Sequence, residues 1–155
     1  MRSLQSYFES YSSHHRNPVN IAFHWVCVPT IFFCVIGLLG SIPPLELPWI
    51  GRMPWAKLTI AVVVLGFFLP RSAPMSLAMA AWGALCVQLA GYLDAHAPWP
   101  LWAICLVLVT AAWIGQFYGH KVEGRKPRFL EDLTFLLIGP AWLMAKAMHA
   151  LGLRS

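Results

Sequence analysis

From position 19 to position 39 the chain runs without a single charged side chain. Wound as a helix at 1.5 Å per residue, that stretch is about 30 Å long, the thickness of a bilayer's hydrocarbon core. The rest of the sequence has the same character. Of 155 residues, 59% are hydrophobic and 11% charged, and the mean hydropathy is +0.64, far from the balance of a soluble globular domain. The fold class this implies is all-α, an integral membrane helical bundle. No polar linker divides the chain, so residues 1–155 are expected to form one membrane domain.

Residues 2–17 place Leu4, Tyr7, Phe8 and Tyr11 at near-helical spacing among polar neighbours, the pattern of an interfacial helix. Pro18 suits a first helical turn and opens the crossing at 19–39. Apolar runs at 55–69, 75–93 and 101–118 bring the expectation to about four membrane-embedded helices. The connection IPPLELPWIGRMP, residues 42–54, cannot be helical throughout because of its prolines, and belongs at the interface with Trp49 and Trp55 as belt residues. The final apolar segment, 132–151, is interrupted by Gly139 and Pro140 and carries Lys146 and His149. It reads as an interfacial or re-entrant helical hairpin, with a fifth crossing as the alternative.

Charge and cysteine placement set the surroundings. Lys121, Arg125, Lys126 and Arg128 cluster after the fourth run, which marks that side as cytoplasmic. Four crossings put the N-terminus, with Arg2 and Arg16, on the same side; Arg71 agrees, while Arg52 and Lys57 run against it. The formal charge of +5 lies at segment ends rather than along one face, so the expected partner is an anionic lipid surface and not nucleic acid. No secretory signal is evident ahead of the first apolar run. The chain reads as a bacterial inner-membrane protein, with the endoplasmic reticulum as the eukaryotic counterpart, and a homodimer suits its size. Cys27, Cys34, Cys86 and Cys105 all fall within apolar runs and read as reduced, packed thiols.

Polar residues inside such segments mark function. Asn20 and His24 are four apart, so they share a helical face, and His15 stands just ahead of that helix. Gln116 and His120 repeat the step near the end of the fourth run, with Glu123 three further on. If both ends are cytoplasmic, His15, His24 and His120 lie at one membrane level. Neutral imidazole is a common ligand for iron, zinc and copper, and a neighbouring amide or carboxylate fixes its tautomer. Glu123 has three open roles: part of a carboxylate-containing iron site, a base, or an ion pair with Lys121 or Lys126. The drawn topology puts His96 across the membrane from His120, so either it is structural or the middle segments do not cross as drawn.

The stretches HRNPVNIAFHWVCVP (15–29), the pair Asp94 and His96, and WIGQFYGHKVEGRKP (113–127) resemble the small membrane proteins of fatty-acid α-oxidation. That family, long known only as a domain of unknown function, is typified by a fungal Fe(II)-dependent 2-hydroxy-fatty-acid dioxygenase. The resemblance runs in order along nearly the whole chain. It implies Fe2+, O2 and a 2-hydroxy fatty acid that is shortened by one carbon with loss of its carboxyl carbon. Carried over by position, it implies His15, His24, His96 and His120 as metal residues and Asn20, Gln116 and Glu123 as their polar companions. Glu123 becomes the candidate catalytic carboxylate, and Arg16 and Arg125 the groups for the substrate's acid. Arg16 stands where the fungal form has a second adjacent histidine. The match at His96 implies that the middle helices are short or re-entrant. Zinc, which imidazole binds more strongly than ferrous iron, can occupy such a site in purified protein. The readings from other classes are a b-type haem held between His24 and His120, and a non-enzymatic lipid-binding scaffold. A di-iron hydroxylase needs around eight histidines, and the chain has 6.

Overall fold

The computed structural model describes residues 3–127 and 132–153. Arg2 and Arg128, both counted in the charge pattern, lie outside the described residues. In chain order the elements are α1 (Leu4–Ser12), α2 (Pro18–Gly40), β1 (Leu45–Leu47), β2 (Gly51–Met53), α3 (Trp55–Val63), α4 (Ala73–His96), α5 (Leu101–Glu123) and α6 (Phe135–Ala150). A π-helical turn, Val64–Phe68, extends α3. The chain divides into two compact units, Met1–Ile31 with Thr110–Ser155, and Phe32–Val109. Helices α2 and α5 each contribute to both.

Three helices are long and apolar enough to cross a membrane: Pro18–Gly40, Ala73–His96 and Leu101–Glu123. Each is about 35 Å long at 1.5 Å per residue. The segment expected at 55–69 is helical over Trp55–Phe68, about 21 Å, short of the roughly 30 Å core. The C-terminal segment also departs from expectation: it is one continuous helix, Phe135–Ala150, and not a hairpin, with Pro140 inside it. Gly139 does not break α6 because it is a packing position. A Cβ there would lie 3.2 Å from the Tyr11 hydroxyl.

In the second unit the proline-rich connection forms a small antiparallel hairpin, with Leu45 opposite Met53 and Glu46 opposite Arg52. Trp49, at its tip, is 96% exposed, as expected of a residue of the interfacial belt. Ser72 caps α4 by accepting from Met75 N at 3.2 Å. Phe33, Cys34, Ile36, Ala56, Cys86, Ala90, Leu101 and Cys105 form this unit's buried core. All four cysteines of the chain are buried free thiols.

Five of the six buried polar residues among those described, all but Ser76, lie in the first unit. Ser3 caps α1 through Ser6 N. Asn17 caps α2: its Oδ1 accepts from Val19 N at 2.9 Å, and Pro18 fills the first helical position, where no N–H is needed. Helix α5 meets the first turns of α2 along Gly115 and Gly119, a small-xxx-small pair that permits close helix approach. A Cβ on Gly115 would lie 2.8 Å from Cys27 Sγ, and one on Gly119 2.6 Å from Asn20 Oδ1. The outward faces of both helices remain apolar, with Val26 68% and Ile114 66% exposed, consistent with a lipid surround.

This packing is testable. Gly115→Ala should destabilise the detergent-solubilised protein by about 1–3 kcal/mol, the usual penalty of overpacking. Adding Cys27→Ala should restore most of that loss, measured as the thermal unfolding midpoint of the two variants side by side.

Candidate metal centre

Three histidines of the first unit, His15, His24 and His120, are each presented at or beside a helix end. His15 follows α1, His24 lies in the second turn of α2, and His120 in the last turn of α5. All three are buried, as are Asn20 and Gln116. The His15 and His24 ring centroids are 4.3 Å apart, and each lies 5.2 Å or 5.1 Å from that of His120. One nitrogen from each ring falls within 4.8 Å of the other two.

The tautomers follow from the hydrogen bonds. His15 Nδ1 donates to Tyr11 O at 2.7 Å, and His24 Nδ1 donates to Asn20 O at 2.9 Å. A carbonyl oxygen only accepts, so in both neutral rings the proton sits on Nδ1 and Nε2 is a bare lone pair. Those two Nε2 atoms face each other at 3.0 Å. Two lone pairs at that distance repel unless a cation lies between them. A shared proton would leave a buried imidazolium, and burial pushes His15 down to about 3, helped by the neighbouring His24. A metal ion meets the same need without a proton. Two imidazole nitrogens about 2.1 Å from one ion are about 3.0 Å apart at a right angle and about 3.4 Å apart in a tetrahedron. The third ring adds to the fit: His120 Nδ1 is buried with no hydrogen-bond partner among the described residues. The donor set of three neutral imidazoles suits a first-row transition metal.

The orienting groups differ from those the spacing indicated. The carbonyl of Asn20, rather than its amide, fixes His24, while the amide Nδ2 donates to Glu123 Oε2 at 3.0 Å. Gln116 is buried one turn before His120 but does not hold its Nδ1. Glu123 pairs with neither lysine in the way considered from sequence. Its Oε1 accepts from Arg16 N at 3.0 Å and its Oε2 from Asn17 N at 2.9 Å, so the carboxylate sits over the positive N-terminal end of α2.

Arg16 is exposed and reaches the centre through its backbone. Arg125 Nη1 donates to Ser13 O at 3.4 Å. Its own N–H caps the carbonyl of His120 at 3.3 Å, while Gly124 N–H bonds Lys121 O at 3.2 Å. With Gly124 at φ 73°, this is a Schellman turn that ends α5 three residues after the histidine. Phe117, His120, Lys121, Gly124, Arg125, Lys126 and Pro127 line an open groove of about 290 Å³.

His96 belongs to the second unit and is exposed at the end of α4. Its Nδ1 donates to Tyr92 O at 2.9 Å and its ring stacks on Tyr92 at 4.4 Å, the local pattern seen at His15. The metal-capable group of His15, His24 and His120 does not include it.

Sequence reasoning missed the cover. Tyr11 stacks on His15 at 4.0 Å and meets Trp142 of α6 at 5.2 Å. Trp142 Nε1 donates to Ser12 Oγ at 2.8 Å. Lys146 Nζ lies 4.0 Å above the Trp142 ring. The one sequence signal was Gly139 three residues before Trp142, a small residue beside a large one on an apolar helix. GQFYG, 115–119, was the equivalent signal for the α2–α5 contact.

The description "2-hydroxy-palmitic acid dioxygenase Mpo1-like" belongs to a family model that matches residues 1–151. The chain belongs to the Mpo1-like family. It is 28% identical over 151 residues to the 2-hydroxy-palmitic acid dioxygenase MPO1 of Saccharomyces cerevisiae, covering 96% of this chain and 82% of the yeast protein. No solved structure matches the chain. Within this Mpo1-like chain the His24 and His120 ring centroids lie 5.1 Å apart, edge to face.

The depressed His15 value gives a pH dependence with a definite sign. In the unfolded chain the imidazole takes a proton near 6.5, and in the fold only near 3, so the unfolded state binds more protons between those values. Stability is therefore full above about pH 6.5 and falls as pH drops through that window. Thermal unfolding of metal-free protein at pH 7.5, 6 and 5 should show a falling midpoint, with a shallower fall in His15→Gln.

Proposed function

We propose that this membrane protein is an Fe(II)-dependent dioxygenase that shortens a 2-hydroxy fatty acid by one carbon at the membrane interface. The observation that carries the reading is the pair of bare Nε2 atoms 3.0 Å apart, inside a three-histidine group, in a chain of a family named for this activity. The ligand set is His15, His24 and His120.

The reaction balances without a further reductant. Converting R–CH(OH)–COOH and O2 to R–COOH, CO2 and H2O takes the hydroxyl-bearing carbon to a carboxyl and releases the old carboxyl carbon as CO2, and one O2 accepts all the electrons. When bound, ferrous iron supplies a Lewis acid for the substrate's hydroxyl and carboxylate and a redox partner for O2. The chain's own residues do the rest. Lys121, Arg125 and Lys126 line the groove beside His120 and draw the acid headgroup from the interface. Phe117, 50% exposed, and Trp113 begin an apolar wall along α5 for the acyl chain. The backbone carbonyls of Tyr11 and Asn20 keep two imidazoles neutral with Nε2 presented. Tyr11 and Trp142 shield His15 from water.

Protein loaded with Fe(II) without oxygen should, on admission of air, consume O2 with 2-hydroxy palmitate and yield the acid one carbon shorter. His24→Ala and His120→Ala should each lower turnover at least about 100-fold, and zinc loading should abolish it. Undiminished turnover in either alanine variant would remove the proposed ligand set, and none on any 2-hydroxy acid would favour the lipid-binding scaffold. Arg125→Ala should raise KM several-fold with a smaller effect on kcat, read from initial rates against 2-hydroxy palmitate.

A further inference from the structure

One side chain ties together the segments that carry the three histidines of the centre. Glu123 Oε1 accepts from Arg16 N, the residue directly after His15. Its Oε2 accepts from Asn17 N, the cap of α2, and from Nδ2 of Asn20, whose carbonyl holds His24 Nδ1. The glutamate is itself carried on α5 one turn beyond His120. The chain segments it joins are 106 and 107 positions apart along the backbone at Asn17 and Arg16, so nothing local imposes the contact.

We propose that Glu123 is a positioning residue: it locks the three histidines into one register and thereby sets the centre's metal affinity, without binding the ion or moving a proton. Resting on the metal-centre reading, the inference follows from the donor count. Three N–H groups from three consecutive parts of one helix start converge on the carboxylate, two on one oxygen and one on the other. Three of the carboxylate's roughly four lone-pair sites are taken in this way, with Oε2 fully used, whereas a base or ligand needs a site free toward the substrate or ion. The positive end of α2 favours a full negative charge at this point over a neutral amide. Replacing the carboxylate by an amide turns an –NH2 toward at least one N–H donor, so the clamp opens on one side. The histidines then remain present but lose their common frame. Partners that orient ligands in this indirect way change metal affinity by about 10–100-fold.

The test uses the full-length protein in lipid nanodiscs and Co2+ as a spectroscopic probe, with affinity from competition against a chelator. Glu123→Gln should bind Co2+ about 10–100-fold more weakly than the parent, while the visible bands of the saturated protein keep the position and intensity of the parent's ligand set. Asn20→Ala, which removes one of the three bonds and leaves the carboxylate in place, should lose several-fold. The double variant should lose less than the product of the two single losses, because both act through one clamp. Glu123→Asp should recover part of the affinity. Unchanged affinity in both single variants, or saturated bands in Glu123→Gln that report a changed ligand set, would overturn the proposal. A parent that binds no Co2+ would overturn the clamp and the metal centre together. A parent that binds Co2+ and shows the expected losses upholds the clamp, whether or not its iron form turns over a 2-hydroxy acid.

Discussion

Two imidazoles that have each given their Nδ1 proton to a backbone carbonyl can meet only across a cation, and the first unit is arranged so that they do meet. The carbonyls belong to residues four positions earlier in the chain, Tyr11 for His15 and Asn20 for His24. The His24 donor is therefore fixed by helix geometry and the His15 donor by the turn that follows α1, rather than by a distant side chain that could rotate away. Burial reinforces the choice, since it disfavours the charged form of His15. The site has no inexpensive protonation state of its own, which is the electrostatic reason three neutral rings can be held in contact at all.

The helices can deliver those rings because α2 and α5 come unusually close. Two glycines one turn apart leave space for Asn20, Phe23 and Cys27 where side chains would otherwise stand. That proximity brings the end of α5 to the start of α2, where spare N–H groups are available for a carboxylate and where the last carbonyls of α5 are closed by a glycine turn. Helix ends are the places in a membrane helix where backbone groups have no internal partner. Here those groups are occupied by Glu123, Asn17 and Arg125, so the polar centre satisfies the ends of the helices that hold it.

Much of this was legible from residue order alone. The apolar runs at 19–39, 75–93 and 101–118 became three long helices because length and composition leave a lipid-embedded chain few options. His15, His24 and His120 came together because i,i+4 spacing and segment ends place them at one level. The signal failed where the determinant was packing. Gly139 and Pro140 resemble a break until Tyr11 is seen filling the space beside the glycine. The short stretch Trp55–Phe68 and the hairpin after Gly40 depend on where turns fall. The exchange of roles at Asn20, carbonyl to histidine and amide to glutamate, was invisible because sequence spacing does not distinguish backbone from side chain. Trp142 was missed because its partner, Ser12, lies 130 positions away.

The cover of the centre has a consequence for synthesis. Tyr11 and His15 leave the ribosome early, His120 late, and Trp142, which meets both Tyr11 and His15, later still. Until α6 emerges and settles on α1, the histidines stand without the cover that Trp142 supplies. The cover is therefore completed only at the last stage of translation, and a chain that ends before α6 carries all three histidines but not the indole that closes over His15.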